Sequence, residues 1–198
     1  MRCLVVGATG TIGGAVASAL EAAGHEVLRA SRKGAVQVDI VDPASIRALY
    51  ASVGRLDAVI SCAGDGAWAP LTQLSDQQVD ETLKSKLLGQ VNLVRFGVDS
   101  VNDGGVFALT AGIFSQRPMP GVPALAIANG ALESFARAAA LDLPRGIRIG
   151  TLSPPFLSET ARKMGMPDAG TLSAADNAQV YLKFVAGNET GQVIYPSA

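Results

Sequence analysis

The sequence predicts an α/β fold: a doubly wound parallel sheet of about seven strands with helices on both faces. Three observations carry that expectation. Short β-rich runs alternate with helical segments along the chain, and such alternation buries a parallel sheet between two helical layers. The first run, "RCLVV" (2–6), leads straight into a glycine-rich turn, "GATGTIGG". No linker, repeat or low-complexity stretch interrupts the 198 residues. One large sheet with its helices can absorb that length, so a single domain over 1–198 is expected.

The elements follow in order. After the first strand, "GTIGGAVASALEAAG" puts Ile12, Val16, Ala19, Leu20 and Ala23 on one helical face, with Gly24 as a stop. "EVLRA" and "AVQVDI" read as strands two and three. Only "SRKG" separates them. A parallel crossover usually needs a dozen or so residues, so the helix between them is expected to be missing and the third strand to be a short edge strand. "DPASIRALYASVG" is a helix with Asp42 as N-cap, Pro43 in the first turn and Gly54 at its end. "DAVIS" is strand four. One long helix is expected from near Asp76 to Val101, then "GVFALT" as strand five. An Ala-rich helix runs from about Pro123 to Asp142. "GIRIGTLS" is strand six, and a loop, the helix "AADNAQVYLKFVAG" and the strand "GQVIYP" complete the chain.

Composition narrows the function. Hydrophobic residues make up 48% and charged residues 17%, which is the balance of a folded, well-buried chain. A net charge of −1 argues against nucleic acid as a partner. "MRCLVVGATG" has too short an apolar run for a signal peptide, and Leu4–Leu20 holds too much Gly, Thr and Ser for a membrane span. A cytoplasmic protein without a membrane partner is expected. Cys3 and Cys62 sit in or beside apolar runs and read as two buried thiols. His25, the single histidine, lies in a turn, and no cluster of metal ligands is evident.

Gly7, Gly10 and Gly13 are spaced G-x-x-G-x-x-G between the first strand and the first helix. A dinucleotide's pyrophosphate needs such a turn. Glycine allows close approach, and the helix N-terminus supplies N–H groups and partial positive charge. A tight turn without a ligand is the competing reading. At the end of the second strand, an acidic residue would hold the ribose 2′-OH of NAD. "ASRKG" offers Ser31, Arg32 and Lys33 instead. Arg32 can pair with a 2′-phosphate in bidentate fashion, and Ser31 can add a hydrogen bond. NADP(H) is therefore expected over NAD(H), with a solvated basic turn as the alternative.

With those residues in place, the chain resembles the short-chain dehydrogenase/reductase family over nearly its whole length. "VVGATGTIGGAVASAL" is similar to the family's cofactor loop, which carries over Gly7, Thr9, Gly10, Thr11, Ile12 and Gly13 as cofactor contacts. The glycine spacing is closer to the family's extended and atypical branches. "VDI" (38–40) resembles the adenine segment and carries over Asp39 and Ile40. "SCAG" (61–64) resembles the Asn-Asn-Ala-Gly turn and keeps Ala63 and Gly64. "LSPPF" (152–156) resembles the Pro-Gly turn near the nicotinamide, with Pro154 carried over and Pro155 in place of the glycine. The resemblance implies the strand order 3-2-1-4-5-6-7 and assembly as a homodimer or homotetramer. Val91, Val94 and Val98 on the long helix, with the Ala-rich helix, suit such pairing.

The family's chemistry rests on a Ser, a Tyr, a Lys and a helix Asn. Aligned on "NGAL" (129–132), the Lys falls on Asn129 and the Tyr on Leu125. The Ser falls on Ala111 or Gly112, and the helix Asn on Lys86 in "KLLG". All four are replaced. No tyrosine lies between Tyr50 and Tyr181, so the loss does not depend on the alignment. Thr110, Ser115, Gln116, Arg117 and Lys86 remain as substitutes near the reactive end. Lys86 is a candidate proton donor, with a phosphate or ribose contact as the alternative, and Arg117 can also be a loop ion pair. The expected function is an NADP(H)-dependent oxidoreductase with an atypical donor, or an NADP(H)-binding sensor or interaction module without turnover. The substrate is not specified. A segment at 156–173, with Met164 and Met166, reads as a mobile, mostly apolar cover.

Overall fold

The strands Arg2–Val6 (β1), Glu26–Ser31 (β2), Val36–Gln37 (β3), Leu56–Ser61 (β4), Val101–Thr110 (β5), Arg148–Leu152 (β6) and Gln192–Ile194 (β7) pair in parallel throughout. Their order is β3-β2-β1-β4-β5-β6-β7. The computed structural model describes residues 1–168 and 170–197; Ala169, inside the expected cover at 156–173, lies outside the described residues.

Alternation along each central strand builds two cores. Leu4, Val6, Phe107 and Leu109 face one side of the sheet, and Cys3, Val5, Val106 and Ala108 face the other. The first core is closed by Pro43–Val53 (α2), Gly89–Gly97 (α4) and Pro123–Asp142 (α5), through Ile46, Leu49, Leu93, Leu132 and Ala136. The second is closed by Thr11–Ala22 (α1) and Ala174–Ala186 (α7), through Val16, Leu20, Tyr181 and Phe184. The Asp42 carboxylate accepts the Ala44 N–H as the cap expected there, and the Ser173 hydroxyl caps α7 by accepting the Asp176 N–H. Strand order reverses between β1 and β4. At that point the crevice beyond the carboxyl ends of the strands opens for a ligand.

The edge strand β3 is short and pairs only with β2, as the four-residue connection predicts. Three expectations need correction. The long helix is not continuous. Asp76–Thr82 (α3), opened by a capping box at Ser75 and Gln78, passes into a π-helical turn at Leu83–Leu88 before α4. Strand β5 starts at Val101, four residues early, because Gly104 at φ +70° and a register shift against β4 let the chain pair across an irregular step. Val94, expected at an interface, is buried in the first core, whereas Val91 and Val98 pack against that core and stay partly exposed.

Candidate active site

The glycine loop is shaped first by packing. Gly7 has φ +85°, and a Cβ there would lie 2.8 Å from Ala63 N and Cys62 C at the end of β4. A Cβ on Gly13 would lie 2.2 Å from Gly7 O, so Gly13 lets α1 close onto the loop and does not line the cleft. Gly10 caps α1 without a side chain. A cavity of about 220 Å³ runs from this loop to the end of β2. Its walls bring together Gly7, Thr9 and Gly10 from the loop, Ser31 at the end of β2 and Arg32 just after it, Asp39 and Ile40, and Ala63 and Gly64.

Within it, Arg32 is exposed and makes no ion pair among the described residues. The Ser31 hydroxyl donates to Lys33 O at 2.5 Å, so Ser31 organises the basic turn instead of donating outward. Asp39 Oδ1 accepts the Val41 N–H, and the Asp39 N–H donates to Ser45 Oγ. Cys62 is half-buried, not fully buried as expected, and lines this cavity; burial pushes its thiol up to about 12.

A second cavity, about 240 Å³, adjoins α1 at Ile12 and the turn at Pro154. Its walls are mostly apolar: Ile113, Phe114, Leu125, Pro155, Phe156 and Leu157. Phe114 and Phe156 join Trp68 in an aromatic trio with centroids 5.4–5.8 Å apart, Phe114 meeting both other rings edge-on. The polar side chains in the wall are Lys86, Asn129 and Thr160.

Lys86 is only 9% exposed and sits in the π-helical turn. Such turns widen the helix and re-aim a side chain, often at functional sites. Gly64 at φ +129° makes room for it, since a Cβ there would lie 2.9 Å from Lys86 Cα. Burial brings the ammonium down to about 8, against the raising effect of Asp65. Asn129 is 1% exposed, and its Oδ1 is buried without a hydrogen-bond partner. A buried orphan acceptor carries a desolvation penalty, and a ligand hydroxyl would relieve it. That is what a nicotinamide ribose presents, so the residues here fit the cofactor.

The remaining substitutes do not reach this cavity. Thr110 donates to Ser61 O at 2.6 Å and lies 2.7 Å from the Tyr181 hydroxyl. Gln90 holds its backbone, accepting the Thr110 N–H and donating to Thr110 O. Ser115 donates to Glu133, while Gln116 and Arg117 are exposed. The long-range fold supplies no tyrosine either. Tyr50 donates to Leu93 O, Tyr181 meets Thr110, and Tyr195 donates to Glu133.

The model of the enoyl-(acyl carrier protein) reductase family matches residues 7–195. The chain belongs to the short-chain dehydrogenase/reductase family. Among solved structures, the protein lin1944 of Listeria innocua has a TM-score of 0.94 at 42% identity, with 98% of both chains covered. A small-chain dehydrogenase in complex with NADPH has a TM-score of 0.89 at 25% identity, covering all of this chain and 96% of that one. An uncharacterized NAD-dependent oxidoreductase of Mycobacterium tuberculosis is 31% identical over 149 residues, 71% of this chain and 52% of the relative. The chain spans about half the length of the curated relatives it matches.

Ala111, Gly112, Leu125, Asn129 and Lys86, the residues expected at the family's catalytic positions, all line the second cavity. Leu125 is a packing residue there: a Cβ on Gly66 would meet its Cδ2 at 2.3 Å. A Cβ on Gly112 would lie 3.0 Å from Asn129 Nδ2, so a serine at that place needs Asn129 to give way. Sequence reasoning missed the aromatic trio, Thr160 and the buried carboxylate of Glu133. No spacing rule links Trp68, Phe114 and Phe156, which come from three separate loops.

Proposed function

We propose that this protein is an NADP(H)-dependent oxidoreductase that exchanges a hydride with a small, mainly apolar carbonyl or alcohol and takes its proton from Lys86. The carrying observation is the second cavity: an apolar chamber in which Lys86 is the one side chain that can give up a proton near neutral pH. A nicotinamide held here would supply the hydride for the carbonyl carbon in the reducing direction. Lys86 passes an ammonium proton to the oxygen that gains charge and is left as a neutral amine, to be reprotonated from solvent. Asn129 Oδ1 accepts a ribose hydroxyl and holds the reactive end. The glycine loop takes the diphosphate, and Arg32 the 2′-phosphate. The NADPH-bound neighbour supports this cofactor, although the mycobacterial relative is described as NAD-dependent. Assembly is proposed as a homodimer or homotetramer. With Val94 buried in the core, the exposed Ile127 and Leu141 of α5 and the exposed Leu88 just before α4 are apolar side chains that can serve it.

A second reading rests on Leu125. Its close packing against Gly66 puts a hydrocarbon where the family places its acid, as suits an NADP(H)-binding sensor or interaction module without turnover. NADPH oxidation across a panel of small aldehydes, ketones and quinones separates the two. The oxidoreductase reading expects turnover that drops at least ~100-fold in Lys86→Ala. Tight NADPH binding without turnover establishes the second reading, and turnover indifferent to Lys86→Ala removes Lys86 as donor.

A further inference from the structure

Residues Ser158–Lys163 (α6) follow the Pro154 turn and form one wall of the second cavity through Thr160. Their base is fixed. Leu157 bridges to Leu172, and both pack with Ala174 against Ile12 and Ala15 of α1. Both carboxylate oxygens of Glu159 accept the Ala174 N–H, at 3.0 and 3.1 Å. The far end of α6 reaches the glycine loop. Lys163 Nζ donates to Thr11 Oγ1 at 3.1 Å, across 152 residues of sequence. Thr11 is the first residue of α1. The first-turn N–H groups of a helix lack intrahelical partners, and Gly10 contributes no capping side chain to them. Among the described residues, Lys163 is the one lysine or arginine side chain hydrogen-bonded to the loop 7–13, and it has no carboxylate partner.

We propose that Lys163 is a diphosphate-binding residue that clamps α6 over the second cavity when the dinucleotide is bound. This rests on the NADP(H) reading above. The cradle of neutral N–H groups leaves two phosphate charges to be balanced, and Arg32 is committed to the other end of the cleft. Lys163 reaches the cradle from the wall of the substrate chamber. One ammonium therefore couples diphosphate occupancy to closure of α6, Thr160 and Phe156 around the substrate. Thr11 holds the ammonium in place until the phosphate oxygens compete for it. A charge-assisted bond to phosphate is the stronger of the two.

The test is titration calorimetry of the full chain with NADPH and with NADH, for the unmutated protein and Lys163→Ala, Lys163→Gln and Lys163→Arg. The diphosphate is common to both cofactors. Lys163→Ala and Lys163→Gln should each lose about five- to tenfold in affinity for NADPH and NADH alike, and Lys163→Arg should retain most of it. The affinity of the alanine variant should also fall less steeply with salt. Hydrogen exchange gives a readout independent of turnover. NADPH should slow exchange over 157–163 in the unmutated protein and in Lys163→Arg, but not in Lys163→Ala. Equal affinity and equal protection in the alanine variant would overturn the clamp while leaving NADP(H) binding intact. A loss confined to NADPH would place Lys163 at the 2′-phosphate and also overturn it. Failure of the unmutated protein to bind either cofactor overturns the NADP(H) reading, and the clamp with it.

Discussion

The Tyr195 hydroxyl donates to Glu133 Oε2 at 3.0 Å, tying the segment after β7 to the buried face of α5. The other oxygen of the same carboxylate, Oε1, accepts Ser115 at 2.6 Å and Ser153 at 2.7 Å. Ser115 and Ser153 sit in the two loops that wall the second cavity with Phe114 and Pro154. Glu133, 3% exposed, is thus the hub that sets the distance between those walls. Glu133→Ala should strand three hydroxyls and cost about 2–4 kcal/mol, lowering Tm by roughly 5–15 °C. Tyr195→Phe, which loses one bond at a partly exposed site, should cost about 1 kcal/mol or less. Thermal and urea unfolding measure both. An unchanged Tm for Glu133→Ala would show that the three bonds hold nothing together.

Lys86 should weaken the fold near neutral pH. Its ordinary value is 10.5, and burial lowers it to about 8 in the folded chain. Between those values the unfolded chain holds a proton that the folded chain has lost, so stability rises with pH across this window. Below about 8 the whole penalty stands, on the order of 3 kcal/mol. Lys86→Met should therefore gain about 1–3 kcal/mol at pH 7, with the gain shrinking toward pH 10.5. Urea midpoints at several pH values provide the comparison. A methionine variant less stable than the parent at pH 7 contradicts the burial argument.

The same ionisation sets the expected rate profile. Carbonyl reduction needs Lys86 protonated, so kcat should fall as pH rises through about 8. Alcohol oxidation needs the neutral amine and should rise over the same range. A flat profile in both directions, at constant cofactor saturation, would separate Lys86 from the proton transfer.

Arg32 should decide the cofactor. It is exposed, free of ion pairs among the described residues, and lines the cleft at the end of β2. NADPH should bind more tightly than NADH by about 1–3 kcal/mol, the scale of a charge-assisted pair. Arg32→Asp should invert the order. Calorimetry giving equal affinities for the unmutated protein would defeat the assignment.

Leu125 and Asn129 can be returned to the family's pattern. Leu125→Tyr with Asn129→Lys restores an acid and its activator at i, i+4 spacing on α5. The new lysine would share one cavity with Lys86, and like charges in a low-dielectric chamber repel. Adding Lys86→Asn removes that conflict. The triple variant should reduce small ketones faster than the double variant, as measured by NADPH oxidation. Activity in the double variant equal to that of the triple would mean that the two lysines do not compete.

What the sequence determined by itself was set by short-range rules. Leu4 and Val6 against Cys3 and Val5 divide β1 between two cores because successive side chains point to opposite faces. Asp42 starts its helix because a side-chain oxygen takes an N–H two residues on. Gly7 and Gly10 mark the loop because a tight strand-to-helix turn favours glycine, with Gly7 at φ +85° and Gly10 opening α1. The absence of a tyrosine at 125 was also legible, since it is a matter of identity alone. The tertiary structure decided what depends on distant partners. The π-helical turn that delivers Lys86 exists where Gly64, from another strand's end, leaves room for it. Val94 of α4 is core because that face of the helix packs against the sheet and α2. Lys86 burial, the Trp68–Phe114–Phe156 trio, the Glu133 hub and the Lys163–Thr11 contact each join segments far apart in the chain. No periodicity or capping rule reaches that far; only chain closure and packing bring such groups together.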